Sequence, residues 1–210
     1  MTATSAPVAL LACGALARET AELVRRNGWR ADVHGVSSFD HLEPLRISQD
    51  VDRKLAELCE RYERVVVVYG DCGTGGRLDA VLRKYPAARP AGVHCYQWFA
   101  GEDFEEIADE RPGTYFLTDW LVRTWDRAVI AGLGLDRFPW LKETYFEHMT
   151  HVMYLRQDPD DDGALERKAE AIAVYLGLPL EIRDTGLDPL ETLLAPLMEA
   201  GMLGRHDVRA

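Results

Sequence analysis

Short β-branched or apolar runs recur along the chain, separated by longer stretches in which apolar residues return every three to four positions. The runs Pro7–Ala12, Ala31–Val36, Val65–Tyr69, Ala91–Val93, Thr114–Leu117, Val152–Leu155 and Leu180–Arg183 read as strands. Between them, Ala15–Asn27, Val51–Tyr62, Leu78–Tyr85, Trp120–Ala131 and Leu165–Leu176 carry the helical period, and Gly28, Gly132 and Gly177 follow three of these as stop signals. Further helices are expected over Asp136–Met149 and Asp188–Ala200. The alternation predicts an α/β fold, with a mostly parallel sheet carrying helices on both faces in a Rossmann-like three-layer arrangement. Parallel strands need a crossover, and the crossover is usually a helix. The valines of "RVVVVYG" leave no polar face, as a central parallel strand requires. With no repeat and no proline-rich linker, the 210 residues read as a single domain over 1–210.

Composition narrows the class of partner. The formal charge is −11 and no lysine or arginine run is present, which argues against nucleic acid. No apolar stretch approaches the roughly 18 residues of a membrane span. "MTATSAPVALLACGAL" lacks the basic flank of a secretory signal. A cytoplasmic protein without membrane attachment is expected. Four cysteines are too few for a disulfide framework in a chain of this length, so each is packed, metal-bound or reactive.

Ligands of open parallel sheets bind beyond the carboxyl ends of the strands. Cys13 and Gly14 follow the first strand; Asp71, Cys72, Gly73 and Thr74 follow "VVVVY"; His94, Cys95 and Tyr96 follow "AGV"; Thr118 and Asp119 follow "YFL". The remaining cysteine, Cys59, shares an apolar helical stripe with Leu55, Leu58 and Tyr62 and is read as packed.

The loop "GDCGTGG" has the glycines and the following helix that turn backbone N–H groups toward an anion, so Gly73, Thr74, Gly75 and Gly76 are candidate cofactor contacts. It has neither the lysine and hydroxyl of a Walker loop nor G-x-G-x-x-G spacing, which disfavours a nucleotide. A helix start also lowers a thiol pKa, which points to Cys72 as a thiolate. The alternative is that Asp71 caps the helix and Cys72 fills space. Cys95 is the preferred inward residue of its pair and His94 the second choice. "SSFDHLEPLRI" reads as a polar loop bearing Asp40, His41 and Glu43, and His148 and His151 receive no role.

The succession "ACGAL", "HLEPLRI", "VVVVYGDCGTGGRLD", "GVHCYQWFAG", "PGTYFLTDWLVRTWD" and "GLGLDRFPWLKETYF" resembles the DUF1638 family, an uncharacterised bacterial and archaeal group often encoded beside corrinoid-dependent methyltransferases for methylamines and betaines. The resemblance runs from about Leu10 to beyond Gly186 and includes Cys13, Cys72 and Cys95 in its matched motifs. The family pattern also has an L-H-N-x-P-like stretch, whose counterpart here is "DHLEP".

Together, motifs and strand ends lead to an expected metal site: Cys13, Cys72 and Cys95 on zinc, with His41 or His94 near a fourth position, and iron or an iron-sulfur cluster as the alternative. Asp71 and Asp119 would carry protons or support the site. The expected function is a metal-dependent enzyme or ligand-handling protein of one-carbon, methylamine or betaine metabolism, acting on a small neutral or cationic molecule with Tyr96, Trp98 or Trp120 as aromatic contacts. Two other readings stay open: an accessory protein that binds a corrinoid protein or its cofactor, and a metal-free enzyme with Cys72 as nucleophile and His94 as base.

Overall fold

The computed structural model describes residues 8–158 and 162–199. Pro7 and Ala200, at the ends of two predicted elements, lie outside the described residues. The fold is α/β, with parallel sheets flanked by helices in a Rossmann-like arrangement. The chain groups into two compact units, one containing the described residues up to Cys95 and from Leu190 onward, the other Tyr96–Pro189.

In the first unit, β1 (Val8–Cys13), α1 (Ala17–Asn27), β2 (Ala31–Val36), a 3-10 turn (Ser38–Leu42), α2 (Pro44–Cys59), β3 (Val65–Val68), α3 (Arg77–Leu82) and β4 (Ala87–Ala88) follow in order. The sheet order is β2-β1-β3-β4 and every pairing is parallel. The chain leaves β1 toward β2 on one side and returns to β3 on the other, so the order reverses at the carboxyl ends of β1 and β3. This is the switch point at which open α/β sheets bind ligands. All four valines of β3 are fully buried, because neighbouring strands cover its edges and helices its faces. Ile47, Val51, Leu55 and Leu58 line the buried face of α2, whose Pro44 start suits a first helical position.

In the second unit, α4 (Cys95–Ala100) leads from the first unit into α5 (Phe104–Glu110), β5 (Thr114–Thr118), α6 (Asp119–Trp125), α7 (Leu141–Phe146), β6 (His151–Arg156), α8 (Ala164–Leu176) and β7 (Leu180–Asp184). The sheet order is β5-β6-β7, again parallel. Leu117, Val122, Trp125, Val152, Tyr154, Ala169 and Ile172 belong to its core. A last helix, α9 (Asp188–Glu199), buries Leu190, Leu194 and Met198, and Arg64 donates to the Met198 carbonyl at 3.0 Å.

The helix expected over Asp136–Met149 is helical only over Leu141–Phe146, and two further predicted elements take another form. The helix expected over Trp120–Ala131 is α-helical only to Trp125 and continues as a π-helical turn over Asp126–Ala131. Gly132 makes this possible, since a Cβ there would lie 2.2 Å from the Ala128 carbonyl oxygen. Ala91–Val93 is not a strand, because β4 ends at Ala88 and Pro90 brings no N–H to a ladder. No helix among the described residues is long and apolar enough to cross a membrane.

Candidate functional site

The segment after β3 makes a sharp reversal. Cys72 adopts a left-handed backbone with φ 47°, the only such non-glycine residue among those described. A side chain is rarely held there without strong constraint. The constraint comes from the strip 92–93, whose Gly92 and Val93 carbonyls accept from the N–H groups of Asp71 at 3.4 Å and Cys72 at 2.8 Å. Gly70 allows the two strips to cross: a Cβ on it would stand 2.7 Å from the His94 Cα and 2.9 Å from the Val93 oxygen.

The glycine loop that follows is filled by its own acid. One Asp71 carboxylate oxygen accepts from the Thr74 hydroxyl at 2.5 Å and the Gly76 N–H at 2.9 Å, and the other accepts from the Gly75 N–H at 3.0 Å. Burial works to raise the Asp71 carboxyl, but these donors and the Arg89 guanidinium outweigh it and hold it below the usual range. The N–H groups expected to meet a cofactor anion at Gly75 and Gly76 thus already meet a carboxylate, and Thr74 is fully buried beneath it. Gly73 lies beside the Pro44 ring.

Cys13, Cys72 and Cys95 lie near enough to act on one another electrostatically. Burial pushes the Cys72 thiol up to about 12, assisted by the negative charge that Cys13 and Asp71 would present; Arg89 and the Cys95 N–H, which donates to the Cys72 sulfur, act in the opposite sense. Burial likewise pushes Cys13 up to about 11, although the Ala15 N–H donates to its sulfur at 3.4 Å and Tyr69 hydrogen-bonds to it. Cys95 is raised well above its ordinary value by burial and by Cys72 and Cys13. The helix start predicted to create a thiolate at Cys72 is therefore outweighed by desolvation. Cys59 lies apart on α2, and burial is what raises it.

Around the thiols stand Tyr69, His41 and Asp40. The Tyr69 ring stacks on His41 with centroids 5.5 Å apart, and its hydroxyl is 3.4 Å from His41 Nδ1. That nitrogen is 2.8 Å from the Ser38 carbonyl oxygen, which marks it as the protonated one. Burial lowers the His41 imidazole. Asp40 is raised, first by burial and then by the charge of Asp50 and a hydrogen bond shared with it. Burial also lowers His94.

These contacts overturn the metal expectation. Among the described residues no group of three or more His, Cys, Asp or Glu side chains is arranged to hold a metal ion. Cys13, Cys72 and Cys95 lie near enough to act on one another electrostatically, but with His41 and His94 they are not arranged as a ligand set. Zinc, iron and an iron-sulfur cluster on Cys13, Cys72, Cys95, His41 or His94 are withdrawn.

Asp119 belongs to the second unit. It is 1% exposed and accepts from the Tyr154 hydroxyl at 2.7 Å and from the N–H groups of Gln157 at 3.1 Å and Asp158 at 3.2 Å, with the Arg123 guanidinium 3.4 Å away. Thr118 caps α6, accepting from the Leu121 N–H. Of the aromatic residues offered to a cationic ligand, Trp98 is buried and Tyr96 stacks on Phe116 at 5.4 Å.

Sequence reasoning passed over Tyr69, which reads as the last apolar residue of a buried strand, and Arg89. Arg89 binds both Asp79 carboxylate oxygens, at 2.6 and 3.0 Å, and donates to the Pro90 and Gly92 carbonyls at 3.1 Å, tying α3 to the strip that holds Cys72. Nothing near Arg89 in the sequence marks it.

The first unit is thus a parallel α/β unit with Cys13 buried and Cys72 and Cys95 half-buried near its switch point. The chain belongs to the DUF1638 family, proteins of unknown function, whose model matches residues 38–194. No curated protein and no solved structure matches. The family description carries no reaction, and with the metal site gone nothing supports the one-carbon, methylamine or corrinoid association, which is withdrawn with it.

Proposed function

We propose that this chain is a metal-free cysteine enzyme in which the Cys72 sulfur attacks an electrophilic centre of a small uncharged or cationic molecule. The observation that carries this reading is the left-handed backbone of Cys72 on the turn that leaves a central strand at the switch point. Such strain persists where surrounding structure over-determines it, and it concentrates where a side chain must be presented to a ligand. Arg89 contributes positive charge that favours the thiolate as the new bond to sulfur forms. His94, on the strip that pairs with the Cys72 loop and with its imidazole pKa lowered by burial, is the group we assign to receive the thiol proton.

The test is alkylation by iodoacetamide, read peptide by peptide. Because the thiol is pushed up to about 12, the Cys72 rate should climb about tenfold per pH unit through the alkaline range, with no plateau near the ordinary value of about 8.5. Arg89→Gln should slow it at fixed pH. Labelling of Cys59 while Cys72 stays unmodified at every pH would sink the proposal.

A further inference from the structure

We infer that Cys72 and Cys95 form a dithiol pair that reduces small uncharged disulfides and is converted to an intramolecular disulfide. This rests on Cys72 being the attacking sulfur. Three observations place Cys95 as its partner. The strips 70–72 and 92–95 are held together by the Cys72 N–H to the Val93 carbonyl and by the close crossing of Gly70 over His94. Cys72 and Cys95 lie near enough to act on one another electrostatically, beside that crossing. Both residues are partly exposed, whereas Cys13 is 2% exposed and engaged by Ala15 and Tyr69.

The chemistry balances in two exchanges. The Cys72 thiol loses its proton and attacks one sulfur of the substrate disulfide, whose S–S bond breaks and releases one small thiol, leaving a mixed disulfide on Cys72. The Cys95 thiol then loses its proton and attacks the Cys72 sulfur, the mixed S–S bond breaks, and the second small thiol departs. The protein dithiol is oxidised by two electrons and the substrate is reduced by two.

Substrate class follows from the surroundings. Leu42, Leu45 and Val93 are 45%, 56% and 59% exposed, and Val93 and Pro44 border the Cys72 loop. The acids on these segments are already engaged: Glu43 pairs with Arg46 at 2.8 Å, and Asp71 is held by the N–H groups of its own loop. An apolar rim offers contact to the uncharged parts of a disulfide and no partner to the carboxylates of a charged one.

The reduced full chain is exposed to bis(2-hydroxyethyl) disulfide, quenched with maleimide and mapped by peptide mass. A Cys72–Cys95 linked peptide is expected in the wild type. Cys95→Ser should stop at the mixed disulfide on Cys72, and oxidised glutathione should react at least tenfold more slowly than the uncharged probe. A wild type that stops at the mixed disulfide, or links Cys72 to Cys13, overturns the pairing while leaving Cys72 as the nucleophile. No adduct on Cys72 in either the wild type or Cys95→Ser overturns the nucleophile as well.

Discussion

Gly70 and Cys72 divide between them the geometry of one turn. Cys72 carries the side chain that the proposed reaction would use, and Gly70 carries none because the 92–94 strip passes where a Cβ would be. The neighbours it would meet are the His94 Cα and the Val93 oxygen, both backbone atoms that cannot rotate away. Gly70→Ala should therefore move the strips apart and lower stability by about 2 kcal/mol in urea unfolding, within the usual range for overpacking. It should also slow alkylation of Cys72, because the Val93 carbonyl that fixes the left-handed turn would shift. Cys72→Gly should do the reverse for stability: glycine adopts φ 47° freely, so relief of strain offsets the lost packing. An Ala substitution at position 70 with unchanged stability would mean that the crossing is not tight.

At the scale of the element, the loop 70–76 and the start of α6 use carboxylates in the same way. Asp71 supplies from within the chain the anion that a glycine-rich loop usually takes from a ligand. Asp71→Gly should destabilise the first unit by about 1–3 kcal/mol through unsatisfied donors. It should also create sulfate dependence, with the melting temperature of the variant rising in sulfate relative to chloride at matched ionic strength while the wild type shows no such difference. Equal responses would show that the donors are not what the carboxylate satisfies. Asp119 ties the start of α6 to the end of β6 through Tyr154, Gln157 and Asp158. Asp119→Asn places an amide donor against N–H groups, so a loss of about 2–3 kcal/mol is expected in urea unfolding, without effect on Cys72 labelling. Loss of labelling in this variant would give Asp119 a part in the reaction. The glycine loop was visible in the sequence as a nest for an anion, and the acid that fills it was visible beside it. What could not be read was that Asp71 folds back onto Gly75 and Gly76, since that depends on left-handed glycines at 73, 75 and 76. The strand bounds of β2 and the core of β3 followed from short β-branched or apolar runs. The 91–93 segment misled because a short apolar run says nothing about which partner its carbonyls find, and here they find the N–H groups of a turn.

For the molecule as a whole, sequence periodicity located the ends of β1 and β3 and so brought Cys13 and Cys72 to one edge, while Cys95 was placed there by a strand over 91–93 that does not form, and the pattern could not say whether sulfur there faces a cation, water or protein. Desolvation turns out to dominate, and that has a consequence for stability. Cys13 and Cys72 hold their protons to about 11 and about 12 in the folded chain. In the unfolded chain the same thiols ionise near 8.5, by about the ordinary value. A folded state that retains protons the unfolded state has released loses stability as pH rises, so the contribution is whole below about 8.5 and declines from there toward the folded values. The formal charge of −11 adds general repulsion of the same sign, but salt screens that part and leaves buried thiols largely untouched. Urea midpoints measured between about pH 7.5 and pH 10 in about 0.5 M salt should therefore still fall, each buried thiol contributing at most about 1.4 kcal/mol per pH unit. Cys13→Ser should flatten that fall, since a hydroxyl does not titrate in this range, whereas Cys59→Ser should flatten it less because Cys59 is only partly buried on its helix. A wild-type slope that salt abolishes, or one that Cys13→Ser leaves unchanged, would place the alkaline weakness in surface charge and remove desolvation as the force that sets the state of these thiols.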